Sequence, residues 1–289
     1  MTATLRPEWV DDELYPFTSR FVDVGGHTLH YLDEGTGPTL LFVHGNPTWS
    51  FLYRDVIADL RSDFRCVAVD LPSFGLSSAA PGFSYLPDEH AAALAAFVEE
   101  LDLREITLVC HDWGGPIGLT VAAGQPDRFT RFVIANTAGW PADDLSTWLV
   151  SHAMGGPIGR LLIQRFNLFV NAMIPAGHRL RKPSDDEMAH YRNALDTRER
   201  RTASAVFPRA ITGSSDFLAA VEASLPGLSD RPALIVWGDA DIAFGDKALR
   251  RWEQVFDDHS TTIVAGGGHF VQSDAPEQFS RAIRDWARA

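Results

Sequence analysis

Short apolar runs punctuate this chain at intervals that suit buried strands. Thr39–Val43, Cys66–Val69, Ile106–Cys110 and Phe132–Ala135 come first, and Ala233–Trp237 and Thr261–Val264 come late. Runs that are apolar on both faces fit strands covered on both sides in a parallel sheet. Between two of them, Leu94, Phe97, Val98 and Leu101 fall at i, i+3, i+4 and i+7 with Glu99 and Glu100 opposite, which predicts an amphipathic crossover helix. The alternation predicts an α/β fold: an open, mostly parallel sheet flanked by helices. Such sheets place their sites at the carboxyl ends of the strands. Ahead of the parallel part, Arg20–Val24 and Thr28–Leu32 flank Gly25-Gly26 and predict an antiparallel hairpin.

The strand pattern lapses between about Ala138 and Gly227. Only helical pieces follow there, and in one of them Ile158, Leu161, Leu162, Arg165, Phe166 and Phe169 share a face. A segment of roughly ninety residues is far longer than an ordinary connection. The expectation is a core of residues 1–137 and 228–289, with residues 138–227 inserted as a helical lid, or cap, over the strand ends. Near the C-terminus, Asp274-Ala275-Pro276-Glu277 predicts a helix start with a capping-box-like pattern.

Composition narrows the partners. A 289-residue chain that is 45% hydrophobic has material for a sizeable core. Its formal net charge of -13 would repel a nucleic-acid backbone, so no nucleic-acid partner is expected. No run of eighteen apolar residues occurs, so neither a span nor a membrane partner is expected. Met1–Phe17 carries Glu8, Asp11, Asp12 and Glu13 and no apolar run of signal-peptide type, and the two cysteines, Cys66 and Cys110, sit in apolar runs as reduced thiols would. A cytoplasmic location is the expectation.

Candidate chemistry falls at the strand ends. In Leu108-Val109-Cys110-His111-Asp112-Trp113-Gly114-Gly115 a strand runs into a sharp turn and then an apolar helix, with small residues two before and two after Asp112. That is the pattern of a strand-to-helix elbow, with an aspartate where many hydrolases carry serine. A carboxylate there, at the positive end of a helix, is expected to stay ionised and to attack carbon, forming an ester. His269, in Gly268-His269-Phe270, is the candidate base. Asp241 would hold its imidazolium; Asp239 competes, and the Gly238-x-x-Asp241 spacing favours Asp241. The chain order Asp, Asp, His is the one α/β-hydrolases use.

On these blocks the chain resembles the haloalkane dehalogenase family of α/β-hydrolases, from about Phe21 to the C-terminus. The matching segments are His44-Gly45-Asn46-Pro47-Thr48-Trp49-Ser50, Cys110–Gly115 and Gly268–Gln272, with Phe207-Pro208-Arg209 near the end of the lid. The resemblance implies SN2 attack by Asp112 on a halogen-bearing carbon, an alkyl ester, and its hydrolysis by water that His269 activates. It implies that the Trp113 indole and the Asn46 side-chain amide donate to the leaving halide, and that the backbone N–H groups of the same two residues steady the oxyanion. It implies a small halogenated substrate, a primary alcohol, halide and a proton as products, and no cofactor or metal. Asn136-Thr137-Ala138 stands where one branch of the family carries Glu, so Asp241 is the acid, and Asp241 with Asn46 and Trp113 is similar to a third branch. Ser73 departs from the glycine usual in relatives.

Trp140, Trp148, Phe166, Phe207 and Phe270 are candidates to line the substrate cavity. His44 and His111 are expected to hydrogen-bond strand ends rather than bind metal. His27 and His30 would point to opposite faces of a strand. The rivals are an epoxide hydrolase, a serine esterase, a cofactor-free luciferase-type oxygenase and a receptor on an inactivated hydrolase fold. The first needs lid acids, usually two tyrosines, and Tyr191 is the lid's single tyrosine. The second needs a Gly-x-Ser-x-Gly elbow, which the chain lacks. The third resembles the branch with the strand Glu, and the fourth usually has lost a triad member.

Overall fold

The apolar runs become strands of one sheet in a computed structural model that describes residues 6–288. They are β1 (Arg20–Val24), β2 (His27–Glu34), β3 (Thr39–Val43), β4 (Arg65–Val69), β5 (Ile106–His111), β6 (Phe129–Ala135), β7 (Ala233–Gly238) and β8 (His259–Val264). Their order in space is β1-β2-β4-β3-β5-β6-β7-β8. β1 and β2 pair antiparallel, as do β2 and β4, and every later pair is parallel. Gly25 and Gly26 both adopt positive φ, 56° and 84°, and close β1 on β2 as a two-residue turn of the type that matches strand twist.

Helices α1 (Arg54–Leu60), α2 (Pro87–Glu100) and α3 (Gly114–Gly124) precede β6. Between β6 and β7 run α4 (Leu145–Gly155), α5 (Pro157–Phe166), α6 (Ile174–Gly177), α7 (Asp185–Ala194), α8 (Arg201–Gly213) and α9 (Ser215–Ser224). After β7 come α10 (Asp246–Val255), α11 (Val271–Asp274) and α12 (Pro276–Arg288). Strand alternation splits the core in two. Leu41, Val43, Leu108, Cys110 and Ile134 pack with Leu94, Phe97 and Val98 of α2, while Leu40, Phe42, Val109 and Val133 pack with Val56 and Ile57 of α1 and Phe279 of α12. Cys66 and Cys110 fall in opposite halves, and burial raises both thiols, Cys66 to about 12.

Two sequence expectations are corrected. The predicted face Ile158–Phe169 does not belong to one helix, because Asn167 takes a left-handed φ of 52° and ends α5 at Phe166. Nor is that face buried: Ile158 is 75% exposed and Leu161 54%, whereas Ile163 is the enclosed side. Asp274 does not cap the last helix. Its carboxylate instead accepts backbone N–H groups from Arg179, Leu180, Arg181 and Gly268 at 2.8–2.9 Å, joining the segment after α6 to the loop after β8.

Buried polar groups tie the β6–β7 insertion to the rest. Arg54 of α1, 2% exposed, pairs with Glu187 of α7, and Arg181 reaches the same carboxylate at 2.8 Å. Burial would raise the Glu187 carboxyl, but the Arg54 and Arg181 guanidiniums and the Ser184 backbone N–H hold it below its ordinary range. The first residues of the insertion are also fixed: the Trp252 indole donates to Thr137 O at 2.8 Å, and Trp140 packs on Trp252 at 4.9 Å beneath the Arg251 guanidinium.

Replacing Glu187 with Ala strands a buried guanidinium, although Asp55 at 3.2 Å and Phe51 O still face it. We expect a loss of about 3 kcal/mol, near the lower end for a broken buried pair, read as a lowered urea midpoint. Because the folded carboxyl titrates below its unfolded value, its stabilisation is complete above the unfolded pKa and fades as pH falls through the folded one. Glu187→Ala should therefore flatten the acid limb of the stability curve; an unchanged limb would show that the pair does not anchor the insertion.

Candidate active site

Topology chooses the location. From β3 the chain moves to β4 on one side and then crosses to β5 on the other, which leaves a crevice at the carboxyl ends of β3 and β5. Gly45-Asn46 leaves β3 there, and Asp112 leaves β5. Asp112 adopts φ 48°, a left-handed backbone that side chains rarely take, and the turn goes directly into α3. The elbow needs small neighbours. A Cβ on Gly45 would strike the Asp112 carboxylate, one on Gly114 would strike Val43 O, and one on Gly115 would strike the Thr137 hydroxyl. That hydroxyl donates to Asp112 O at 2.5 Å, and Asp112 N donates to Asn136 O at 3.2 Å.

The carboxylate is held by backbone. Asn46 N–H donates to Asp112 Oδ1 at 2.7 Å, and the Trp113 backbone N–H adds a second stabilising bond. On the other oxygen, His269 Nε2 stands 3.8 Å from Oδ2. Burial outweighs these partners and lifts the Asp112 carboxyl above its usual range, with Asp241 adding to the rise. The expected effect of the helix end is thus present in the Trp113 N–H, but desolvation is larger.

On the far side of the imidazole, His269 Nδ1 and Asp241 Oδ2 are 3.0 Å apart, and the Asp241 side chain is fully buried. Burial alone would depress the His269 pKa. The Asp241 charge, its hydrogen bond and the Asp112 charge together raise it above the ordinary value. Asp241 is itself held low despite burial, by His269, by Ala243 N–H at 2.7 Å and by Asn136 Nδ2 at 2.8 Å. His111, which burial and then His269 keep well below its usual pKa, is neutral, and its Nε2–H donates to the backbone carbonyl of His269 at 2.8 Å. His44 accepts Leu71 N–H at 3.0 Å.

Trp113 is 8% exposed and lies 5.0 Å, ring to ring, from Phe207 of α8. Asn46 Oδ1 is buried without a partner, so this side-chain amide is not engaged by the fold. Phe270 packs edge-on against the His269 ring at 4.7 Å. Other proposed lining residues lie elsewhere. Trp148 is 46% exposed and stacks on His152, Phe166 is 61% exposed, and Trp140 is packed on Trp252. Asp239 turns to Gly266 N–H and does not approach His269.

Sequence reasoning missed Asn136 and Phe244. Asn136 spans β6 and β7, exchanging hydrogen bonds with Gly238 N and O while it holds Asp241. Its place at the carboxyl end of β6 was the available signal. The Phe244 ring stacks on His269 at 5.8 Å from a loop with no periodic pattern to mark it. Ser73 has φ 66°, a conformation that glycine adopts without strain. Among the described residues no group of three or more His, Cys, Asp or Glu side chains is arranged to hold a metal ion.

Comparison with known proteins gives the arrangement its relatives. The α/β-hydrolase fold family matches residues 38–276. Haloalkane dehalogenase 2 of Mycobacterium tuberculosis (strain ATCC 25618 / H37Rv) is 43% identical over 275 residues, covering 94% of this chain and 96% of that protein. A cis-3-alkyl-4-alkyloxetan-2-one decarboxylase of Shewanella oneidensis is 31% identical over 286 residues, covering 94% and 89%. Among solved structures, the haloalkane dehalogenase DbeA from Bradyrhizobium elkani superposes with a TM-score of 0.87 at 27% identity, covering 94% of this chain and 98% of that one. With the fold, the strand-end segments and relatives of nearly equal length in agreement, this chain belongs to the α/β-hydrolases and, within them, to the haloalkane dehalogenase family.

Proposed function

We propose that this protein hydrolyses aliphatic carbon–halogen bonds, converting a 1-haloalkane and water to a primary alcohol, halide and a proton. The observation that carries the reading is the divided environment of the Asp112 carboxylate. Oδ1 is occupied by the Asn46 N–H, while Oδ2 is free to attack and stands beside a base. In the first step Oδ2 forms a C–O bond as the carbon–halogen pair departs as halide. The Trp113 indole N–H and the Asn46 side-chain amide serve as the halide's donors in a water-poor site.

Esterification then prepares the second step. It removes the Asp112 negative charge, one of the influences that raise His269, so the imidazole becomes easier to deprotonate once the alkyl group is attached. Neutral His269 takes a proton from water, and the resulting hydroxide attacks the ester carbonyl carbon. Negative charge develops on Oδ1, to which the Asn46 backbone N–H already donates, with the Trp113 backbone N–H as the second donor. Collapse expels the alcohol and restores the carboxylate, and the remaining proton leaves through His269 to solvent. Asp241 keeps the imidazolium oriented, and Asn136 keeps Asp241 in place. Residues 138–227 act as the cap, with Phe207 the aromatic side chain that it brings against Trp113. The cytoplasm is the proposed location.

Halide release from bromo- and chloroalkanes tests the assignment. Asp112→Ala should lower it by on the order of 10³-fold or more, measured by ion chromatography. His269→Phe should still release one equivalent of halide and retain the alkyl group, seen as a mass increase on the peptide containing Asp112. Turnover of an epoxide or an oxetan-2-one, with no halide from any bromoalkane, would reject the assignment.

The charge argument predicts a pH effect. Ester hydrolysis needs neutral His269, so its rate should fall as pH drops, with a midpoint below the His269 titration of the free enzyme. Single-turnover alcohol release and the imidazole NMR titration give the two midpoints. Coincident midpoints would mean that the Asp112 charge does not control the base.

A further inference from the structure

Among the described residues, twelve large apolar side chains are prominently exposed, and eight of them lie between Leu145 and Phe166. Leu145 is 71% exposed, Leu149 54%, Ile158 75% and Leu161 54%. Isolated exposed apolar residues are ordinary; a cluster on one helix pair marks an interaction surface. α4 and α5 both rest on α8, where the Ser151 hydroxyl donates to Pro208 O and Gly155 abuts Arg209. Their outer sides are therefore turned away from α8 together.

Charge identifies the partner. From Leu145 to Ser184 the sequence has no Asp or Glu but contains Arg160, Arg165, Arg179, Arg181 and Lys182, in a chain of net charge -13. Asp143 and Asp144, just ahead of α4, are engaged by Lys247 and by the Thr147 N–H of the helix start. Asp185 and Asp186 begin α7 beyond the segment. Arg160 and Arg198 rim a hollow of about 370 Å³ together with Pro157, Leu161 and Gln164. Arg165 extends over the Phe166 ring. Among the described residues, Arg160, Arg165 and Arg198 form no salt bridge.

We propose that the outer face of α4 and α5 docks on the surface of an anionic lipid bilayer. Apolar side chains on short helices, rimmed by arginines and a tryptophan at Trp148, suit the boundary between headgroups and acyl chains. No helix of the described residues is long and apolar enough to cross a membrane, so the contact is peripheral. The lack of a long apolar run argues against a span, not against a surface contact made by short helices. A second copy is less suited: α4 and α5 carry no Asp or Glu, so a two-fold contact through them would set Arg160 and Arg165 against like charges. Given the proposed function, docking sets the cap against the phase in which apolar haloalkanes concentrate.

Flotation of the full chain with vesicles provides the test. It should bind vesicles containing about one-third phosphatidylglycerol and not phosphatidylcholine alone, weakening roughly tenfold in high salt. Ile158→Asp with Leu161→Asp, and separately Arg160→Gln with Arg165→Gln and Arg198→Gln, should each cut binding by about tenfold. Both variants should release halide from water-dissolved bromoalkane like the parent, which shows that they fold and keeps this test separate from the enzymatic assignment. Absence of binding to the anionic vesicles, or equal binding by the variants, overturns the proposal. A dimer that forms in sedimentation velocity and is abolished by the Asp variant, without flotation, overturns it in favour of a second copy.

Discussion

A carboxylate at the end of a buried strand has lost most of its water, and the protein must supply what water supplied. At Asp112 this is done by backbone N–H groups from the ends of two neighbouring strands, possible only because the turn has φ 48° and lacks side chains on Gly45 and Gly114. The replacement is incomplete, and burial still lifts the carboxyl. Such a group is poorly solvated yet anchored on one oxygen. In the proposed reaction, that combination would retain reactivity while fixing direction.

The same device recurs along the sheet edge. Asp70, after β4, accepts Ser50 and Leu76 N–H and pairs with His30; Asp241, after β7, accepts Ala243 N–H; Asp274, in α11, gathers four N–H groups. Each fixes a loop that has no secondary structure to hold it. A set of loops tied by buried carboxylates holds Asp112, His269 and Asp241 in register across the strand ends. Net charge of -13 thus conceals a working division between inward acids that shape loops and outward acids that face solvent.

The sheet was legible because its strands are buried on both faces and read as unbroken apolar runs. Their limits were less so: β4, β6 and β8 begin earlier than the apolar runs, since Arg65, Arg131 and His259 contribute backbone pairing without an apolar side chain. Asp112, His269 and Asp241 stood out because each falls in the loop that follows such a run. Asn136 did not, because its contribution is a pair of hydrogen bonds between strands distant in sequence, and such pairing leaves no periodic trace. The insertion misled for a related reason. A helical apolar stripe signals a face that seeks cover, not that the fold supplies it, and α5 turns its stripe outward.

The first turn after β6 couples the insertion to the elbow. The Thr137 hydroxyl is bound to Asp112, Thr137 O to the Trp252 indole, and Trp140 is pressed between Trp252 and Arg251. The start of the insertion and the backbone of Asp112 thus share one residue, Thr137. A change that loosens the packing of Trp140 on Trp252 would reach the elbow through that residue, although neither tryptophan touches the carboxylate.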